Sequence, residues 1–316
     1  MVVIIHISHR LPYVSPPAAS LLFYQVLVSP LTKATKRTIN IGGNNNQTCW
    51  TTAMTEYKML TIKLQRMINM LHRFSRLELL IGSTGLRLLQ SASVAVFGIG
   101  GVGSFAAEAL ARSGIGRLRL VDNDLVSLTN VNRQLPALEN TIGLPKVHVM
   151  AERIRQINPD CKVEPINAFF DQQSRKELLA VGLDYVVDAI DTVQSKLILI
   201  EQCQALNLPI ICSMGTGNKF DPSLLQVADI SKTRVDPLAR VMRQELRKRG
   251  IDKGVKVVFS TEPPSPHLAE QEEQSQVVGQ TARPRQLPGS TAFVPPAAGL
   301  LLASVVIRDL LESERR

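Results

Sequence analysis

Short apolar runs alternate with longer segments of helical composition through the middle of the chain. The predicted strands are Val94–Phe97, Arg117–Val121, Cys161–Ile166, Tyr185–Ile190 and Pro209–Ser213. The predicted helices between them are Phe105–Arg112, Lys146–Gln156, Ser174–Ala180 and Gln194–Leu206. Strands that alternate with helices of this size predict a doubly wound, mostly parallel sheet, which is a Rossmann-like α/β fold with right-handed crossovers.

The last part of the chain departs from this rhythm. Leu225–Ile230 and Val255–Ser260 are predicted strands on either side of a basic helix, Pro237–Lys248. Residues 262–288 are rich in Pro, Gln and Glu and predict a flexible loop, and residues 297–312 predict a closing helix with an apolar face. We therefore expect an irregular α+β extension after the parallel sheet, with a basic element at 225–260.

The charge is unevenly distributed along the 316 residues. Residues 1–70 carry seven basic groups and one acidic group, so they hold +6 of the formal net charge of +9, and the remainder holds only +3. Proline, glycine and asparagine clusters interrupt any amphipathic helix in this first segment, and no cleavage signature of a targeting peptide is found. We expect a poorly ordered extension over residues 1–69, and the total charge is no evidence of nucleic-acid binding.

Several classes of protein are disfavoured. The apolar stretch Ala297–Ile307 has about half the length that a membrane-spanning helix needs. We therefore expect no stable membrane span, and we expect a cytoplasmic location. The four cysteines form no CxxC pair, which argues against a zinc clip and a disulfide scaffold.

A glycine-rich loop follows the first predicted strand. Gly98, Gly100 and Gly103 fit the GxGxxG pattern, with Gly101 as an additional glycine. Glycines between a strand and a helix let backbone N–H groups approach a phosphate at the electropositive helix N-terminus. Asp122 lies 19 positions later at the end of the second strand, where a carboxylate commonly holds ribose hydroxyls. These residues predict a nucleotide site.

Further charged residues distinguish this site from that of a dehydrogenase. Arg133 lies in the loop after the second strand, Lys146 opens the next helix, and Asp188 and Asp191 bracket the end of the fourth strand. Each has a simpler interpretation: a solvated loop charge for Arg133, a surface residue for Lys146, an N-cap for Asp191. Together on one sheet edge they favour a triphosphate under attack, whose oxygens need neutralisation, with Mg²⁺ placed by a carboxylate.

Five stretches carry a resemblance to a known family. They are Gly98–Ser104, Leu120–Asp124, Thr129–Gln134, Gly143–Lys146 and Asp188–Asp191. In order and spacing they resemble the adenylating ThiF-type family, which includes ubiquitin-activating enzymes and bacterial activators of sulfur-carrier proteins. The resemblance covers about residues 71–316. Further stretches, among them Ala106–Arg112, Ala151–Pro159 and Gly289–Pro295, are most similar to the branch that acts on threonylcarbamoyladenosine in tRNA.

The resemblance implies ATP-dependent cyclisation of threonylcarbamoyladenosine beside the anticodon, through adenylation of its carboxylate and net loss of water. It implies that Asp122 binds the ribose, that Asp124 shares the ribose or metal role, and that Asp191 binds Mg²⁺. The triphosphate is then held by the glycine-loop amides and by Asn130, Arg133 and Lys146. A monovalent cation and sulfur-transfer partner proteins stay open.

The resemblance also bears on assembly and on the first residues. Arg76 matches an arginine that reaches into the partner subunit's nucleotide site, which implies a homodimer with Arg76 among the catalytic residues. Members of the family begin near Met70, so residues 1–69 are an extension or the result of a start codon set too early.

A tRNA surface is predicted near the basic helix. Arg240, Arg243 and Arg247 have the spacing of one helix face, and Lys232 and Arg234 lie upstream. These groups fit phosphate contacts, and they fit a merely solvated face equally well.

Two other functions stay open from the residues. One is an adenylyltransferase that activates the C-terminus of a sulfur-carrier or ubiquitin-like protein, although the CxxC pairs common in such enzymes are absent. Cys212 lies within a predicted strand, where a buried structural thiol is expected rather than a nucleophile. The other is an NAD-binding oxidoreductase, which leaves Arg133, Lys146 and Asp191 unexplained.

Overall fold

The computed structural model describes residues 72–179, 182–266 and 288–313, together with Met59. Apart from Met59, these residues belong to the unit His72–Arg316, one of two into which the chain divides. The predictions for residues 1–69, for a start at Met70 and for most of the loop 262–288 therefore lie outside the described residues.

The described residues form a seven-stranded sheet and seven α-helices. The strands are β1 (Ser93–Phe97), β2 (Arg117–Val121), β3 (Lys162–Ile166), β4 (Tyr185–Asp188), β5 (Ile210–Ser213), β6 (Leu225–Asp229) and β7 (Lys256–Ser260). The helices are α1 (Ser75–Ser91), α2 (Gly103–Arg112), α3 (Lys146–Ile157), α4 (Arg175–Leu178), α5 (Val193–Ala205), α6 (Pro237–Lys248) and α7 (Val294–Ser313).

The order of the strands places the crevice in which a ligand would bind. The order is β3-β2-β1-β4-β5-β7-β6, and every pair is parallel except β6 with β7. The chain leaves β1 towards β2 and β3 and then returns to β4 on the other side of β1. Such a switch point opens a crevice outside the carboxyl ends of the strands. The predicted doubly wound, mostly parallel sheet is confirmed.

Two apolar layers cover the sheet because successive strand side chains point to opposite faces. All five residues of β1 are buried. Val96 belongs to the layer formed with α2, α3 and α7, and Phe97 to the layer formed with α5 and α6. Gly299 of α7 lies so close to α2 that a Cβ would overlap the carbonyl oxygen of Val102. Helix α7 therefore packs backbone against backbone on the helix that follows the glycine loop.

Three elements differ from the predictions. No element was predicted over Ser75–Ser91, where α1 is interrupted at Gly82 by a left-handed φ of 72°. The predicted helix Ser174–Ala180 is only the short α4, and Ala180 is not among the described residues. Helix α7 begins earlier than predicted, at Val294, because Pro295 and Pro296 fit a first helical turn, which needs no N–H donors.

Helix α7 also corrects the length estimated for the apolar stretch near the C-terminus. Val294–Glu312 is long and apolar enough to cross a membrane by length and composition alone. More than half of that window, 56%, is buried inside the domain. The apolar character of α7 is thus accounted for by its packing against α2 and the sheet.

Candidate active site at the carboxyl edge of the sheet

The glycine loop between β1 and α2 is shaped by two close approaches of the backbone. Gly98 has a left-handed φ of 85°, and a Cβ there would lie 2.5 Å from the carbonyl oxygen of Ala189 after β4. A Cβ on Gly103 would overlap the carbonyl oxygen of Gly98. The N–H of Gly98 donates to the carbonyl oxygen of Val121, 2.8 Å away. Any side chain at position 98 or 103 would clash with the backbone, so packing by itself requires glycine at both positions, whether or not a ligand binds.

The loop presents a row of backbone donors. The N–H groups of Gly100, Gly101, Val102 and Gly103 have no acceptor within the part of the chain that the structure describes. Val102, the N-cap of α2, provides no side-chain cap either. Unpaired N–H groups at a helix N-terminus, together with the helix dipole, make a binding site for an anion such as phosphate.

Asp122 ties the end of β2 to the glycine loop. Its Oδ2 accepts from the N–H of Ile99 at 2.5 Å, and its Oδ1 accepts from the N–H of Asp124 at 2.7 Å. Burial raises the pKa of Asp122, and the two backbone hydrogen bonds and the charge of Lys146 offset part of that effect. Each carboxylate oxygen keeps a lone pair, so Asp122 can still accept from ribose hydroxyls, as predicted.

Lys146 brings a nearly buried ammonium to the same edge. The residue is only 5% exposed, and its Nζ lies 2.7 Å from Oδ2 of the exposed Asp124. The backbone N–H of Lys146 donates to the carbonyl oxygen of Asp124 at 3.1 Å, which fixes the start of α3 against the loop after β2. A cation held in this way can exchange its carboxylate partner for a phosphate oxygen.

Arg133 lies against the glycine loop. A Cβ on Gly101 would be 3.4 Å from Cγ of Arg133, so the aliphatic stem of the arginine runs beside the donor row. Its Nη1 donates to the carbonyl oxygen of Thr129 and to Oδ1 of Asn132, both at 2.9 Å. The guanidinium therefore reaches the site with its orientation set by its own loop.

Asn130 has a structural task that the prediction did not include. Its Oδ1 accepts from the N–H of Ser127 at 3.1 Å and closes a capping box on the short 3₁₀ turn Leu128–Asn130. The carbonyl oxygen of Asn130 accepts from the N–H groups of Arg133 and Gln134. Only the side-chain Nδ2 of this buried residue is left for the predicted phosphate contact.

Gln134 is a polar residue of the site that was not assigned a role. It is buried, its Nε2 lies 3.8 Å from the position of a Cβ on Gly100, and its Oε1 has no partner among the described residues. A buried carbonyl oxygen without a hydrogen bond costs free energy, so a ligand donor at this position would be favourable. The sequence indicated Gln134 only through its membership of Thr129–Gln134, one of the five stretches that carry the family resemblance.

The two aspartates after β4 have different environments. Asp188 is fully buried, and its Oδ2 lies 2.9 Å from Nζ of Lys196, which also donates to the carbonyl oxygen of Ser213. This pair neutralises Asp188 within the core. Asp191 is exposed, and its one hydrogen bond comes from the hydroxyl of Thr192. Asp191 is therefore the aspartate that is free to bind a cation.

The described residues contain no group of three or more His, Cys, Asp or Glu side chains that could hold a metal alone. Mg²⁺ is commonly bound by one or two carboxylates together with substrate phosphates and water. Asp191 beside a phosphate-binding loop fits that pattern, with the metal arriving with the nucleotide.

Arg76 lies away from these groups. Phe74, two residues earlier, packs beside Gly114, which lies just before the start of β2. Arg73 donates to the carbonyl oxygen of Ile157 at the end of α3. This is the amino edge of the sheet, opposite the glycine loop. Arg76 is exposed and makes no hydrogen bond or ion pair with the residues described.

A cavity of about 430 Å³ also lies at the amino edge, and it is lined by Arg73, Arg112 and Arg153 among others. Glu108 accepts hydrogen bonds from both Arg112 and Arg153. The bond from Arg153 joins α3 to α2, the bond from Arg112 lies within α2, and both serve packing rather than the nucleotide.

The predicted basic face near α6 is divided by the structure. Arg243 donates to the carbonyl oxygen of Thr233 at 3.0 Å and to its hydroxyl, and Arg247 pairs with Asp252 at 3.3 Å. Two of the three arginines expected on one helix face thus have partners within the domain, and a phosphate contact at Arg240, Arg243 and Arg247 stays a prediction. Arg234 and Arg240 are exposed and have no ion pair with any described residue. Lys232 is exposed, and its charge helps to lower the pKa of Asp229.

The three cysteines that the structure describes are poor nucleophiles. Cys161, Cys203 and Cys212 are all buried. Burial raises the pKa of Cys161 to about 11 and that of Cys203 to about 12, and it raises the pKa of Cys212 well above the ordinary value. The thiolate is the reactive form of cysteine, so these thiols are inert near neutral pH, as expected for Cys212.

Comparison with known proteins gives a consistent set of relatives. Residues 74–314 match the ThiF family. The chain is 51% identical over 246 residues to the tRNA threonylcarbamoyladenosine dehydratase of Bacillus subtilis, covering 77% of this chain and 96% of that protein. The Escherichia coli tRNA N6-threonylcarbamoyladenosine dehydratase, solved in complex with ATP, aligns with a TM-score of 0.68 at 38% identity, over 77% of this chain and 96% of that one. The Haemophilus influenzae molybdopterin-synthase adenylyltransferase is 33% identical over 51% of this chain and 66% of its own length.

Proposed function

The chain belongs to the ThiF family, and on that premise we propose that it is an ATP-dependent enzyme that dehydrates threonylcarbamoyladenosine in tRNA to a cyclic form. The observation that carries the proposal is the row of unpaired amides at Gly100–Gly103, with Lys146 and Arg133 beside it. This arrangement suits a triphosphate better than the single diphosphate of a dinucleotide. The relatives that align over nearly their whole length are named for this reaction, and one was solved with ATP.

The proposed reaction has two steps, adenylation and cyclisation. A carboxylate oxygen of the threonylcarbamoyl group attacks the α-phosphorus of ATP, and the bond to pyrophosphate breaks. The carboxyl carbon now carries AMP, a good leaving group. The carbamoyl group attacks this carbon and gives up a proton, and AMP departs with one former carboxylate oxygen. The nucleoside thus loses one water, and ATP becomes AMP and pyrophosphate.

The residues at the carboxyl edge have separate roles in this scheme. The loop amides and the charges of Lys146 and Arg133 bind the phosphates and stabilise negative charge that develops as pyrophosphate leaves. Asp122 orients the ribose, Asp124 releases Lys146 to the phosphates, and Nδ2 of Asn130 donates to an oxygen. Asp191 would hold Mg²⁺, which supplies further neutralisation of phosphate oxygens.

We further propose that the active form is a homodimer. Arg76 lies at the amino edge and its own glycine loop at the carboxyl edge, so a role at the nucleotide requires a second copy. Leu79 and Leu80 of the same helix are 66% and 84% exposed, and neighbouring large apolar groups in water favour burial in an interface. A cytoplasmic location, a monovalent cation and sulfur-transfer partners stay predictions.

Activation of a carrier protein is the main alternative. The buried cysteines argue against those carrier-protein activators that use a thiol. The two functions differ in what triggers AMP release. We expect AMP release from ATP to depend on tRNA that carries threonylcarbamoyladenosine, and to stay at background with unmodified tRNA or with a small sulfur-carrier protein. AMP release with the carrier protein and none with modified tRNA would reject the proposal.

A further inference from the structure

Two exposed aromatic rings lie side by side on the domain without a role in the chemistry described so far. Phe220 is 66% exposed and Phe293 is 45% exposed. Their ring centroids are 6.4 Å apart, and the ring planes are inclined by 52°. Large apolar rings that adjoin one another in water are typical of a surface that binds something.

Phe293 is held next to the glycine loop. It immediately precedes α7, where Pro295 approaches to 3.2 Å of the position of a Cβ on Gly101. Nδ2 of Asn132, the neighbour of Arg133, donates to the carbonyl oxygen of Ser290 at 3.0 Å. The segment 288–293 thus joins the loop that carries Arg133, and Phe293 lies between two residues, Ser290 and Pro295, that contact the loops of the proposed nucleotide site.

Phe220 is anchored equally well from the other side. Its N–H donates to Oε1 of Glu262 at 2.9 Å. The preceding Lys219 is buried and pairs at 3.0 Å with the buried Asp236. Asn218 exchanges two hydrogen bonds with Gly289, so the loop after β5 is joined to the segment that carries Phe293.

Two exposed arginines belong to the segment that pairs with the loop of Phe220. Asp236, the partner of Lys219, caps the start of α6, and Arg234 and Arg240 lie two residues before and four residues after it. Both arginines are exposed and have no ion pair with the described residues. The carboxylates of Glu262 and Asp221, which belong to the surroundings of Phe220, accept from N–H groups of the same loop.

Aromatic rings beside free arginines are the combination that binds single-stranded RNA, in which unstacked bases lie on aromatic faces and phosphates meet cations. We propose that Phe220 and Phe293 form a stacking platform for an unpaired tRNA base next to the modified adenosine, with Arg234 and Arg240 on the flanking phosphates. This inference rests on the proposed function, and it assigns the surface that holds the substrate. The choice of RNA rests on charge complementarity, because the positive charge of Arg234 and Arg240 matches the phosphates of a nucleic acid.

The test uses the full-length protein and an anticodon stem-loop RNA that bears threonylcarbamoyladenosine. We expect Phe293→Ala and Phe220→Ala each to raise the KM for this RNA about tenfold, because stacking on one aromatic side chain is worth a factor of roughly 5 to 150 per base. The KM for ATP and the unfolding midpoint stay unchanged. Phe293→Tyr retains wild-type KM because tyrosine also stacks. Leu206→Ala, which removes a 49% exposed leucine at the opposite edge of the sheet, serves as the control.

A second RNA identifies the contact. A stem-loop with an abasic site beside the modified adenosine should weaken binding to the wild type and leave binding to the double variant Phe220→Ala/Phe293→Ala unchanged. Equal affinity of wild type and double variant for the intact stem-loop overturns the inference while cyclisation by the wild type upholds the proposed function. A variant that changes the KM for ATP or the oligomeric state also overturns it, because the rings would then serve the nucleotide or a second subunit. Failure of the wild type to cyclise the RNA rejects the proposed function itself.

Discussion

Lys146 and Arg133 at the carboxyl edge are held by neighbours that a phosphate can replace or supplement. Lys146 is buried, and its carboxylate partner Asp124 is exposed. Arg133 rests on carbonyl and amide oxygens of its own loop rather than on a carboxylate. Neither cation is neutralised by a buried acid, in contrast to Lys196, which is paired with Asp188. This difference separates the residues that await a ligand from those that serve the fold.

Arg133 provides the residue-level prediction. We expect Arg133→Ala to lower the rate of ATP-dependent AMP release about 100-fold, because one charge-stabilising contact is typically worth on the order of 2–4 kcal/mol in a transition state. The fold should be unaffected, since the guanidinium contacts only its own loop. Rates with modified tRNA under saturating ATP measure the effect, and Arg87→Ala, an exposed arginine of α1, is the control. A rate within a few-fold of wild type would show that Arg133 is only a loop charge.

Local sequence patterns were sufficient for some site residues and not for others. Gly98, Gly103 and Asp122 could be predicted because strand ends, glycine spacing and a terminal carboxylate are all local features. The pairs Lys219–Asp236 and Arg243–Thr233 could not, because they join residues 17 and 10 positions apart across different elements. The contact of Arg243 with Thr233 was not predicted for that reason.

Helices α2 and α3 are joined by one acidic side chain. Glu108 on α2 accepts from Arg153 on α3 at 2.7 Å and from Arg112 one turn later at 2.8 Å. Burial acts to raise the pKa of Glu108, but the hydrogen bonds and charges of Arg153 and Arg112 outweigh burial and hold the pKa below its ordinary value. A carboxyl with a lowered pKa in the folded state stabilises the fold at any pH above the unfolded-state pKa.

The corresponding prediction concerns pH. We expect Glu108→Gln to lower the free energy of unfolding by on the order of 1–3 kcal/mol near neutral pH, because the carboxylate charge that pairs with Arg112 and Arg153 is lost. The difference from wild type should shrink as pH falls below about 4.3, the ordinary pKa of glutamate, through the lowered pKa of the folded state. Urea unfolding over this range measures it. A difference that is the same at all pH values would mean that the charge of Glu108 has no part in the effect.

Element boundaries followed from the sequence where the pattern was local and strong. Strand β2 and helix α6 were predicted to the residue. Strand β2 is preceded by Gly116 and followed by Asp122, and α6 has Asp236 as N-cap and Pro237 in the first turn. Helix α1 was missed because Gly82 breaks its backbone in the middle and divides its apolar face into two short pieces.

The molecule as a whole places the groups proposed for catalysis on two edges of one sheet. The glycine loop, Lys146 and Arg133 lie at the carboxyl edge, and Arg76 lies with Phe74 at the amino edge. One copy of the domain therefore cannot assemble all predicted groups around one nucleotide. A two-fold dimer would bring the amino-edge helix α1 of each copy to the other copy's site.

Mixed dimers test this assembly. Arg76→Ala and Arg133→Ala should each be nearly inactive alone. Co-expressed with different affinity tags, they should recover about a quarter of wild-type activity, because half of the randomly paired dimers are mixed and each mixed dimer contains one intact site. Purification through both tags should raise the recovery to about a half. Activity no greater than that of the separate variants would place Arg76 outside the partner's site.

We propose that the chain removes water from a tRNA nucleoside at the expense of ATP. The most direct measurement is mass spectrometry of the nucleosides from tRNA bearing threonylcarbamoyladenosine, after incubation with the protein, ATP and Mg²⁺. We expect a new nucleoside lighter than threonylcarbamoyladenosine by one water, with AMP formed in equal amount and neither product without ATP. An unchanged nucleoside mass in the presence of folded, ATP-binding protein would show that the chain does not dehydrate threonylcarbamoyladenosine.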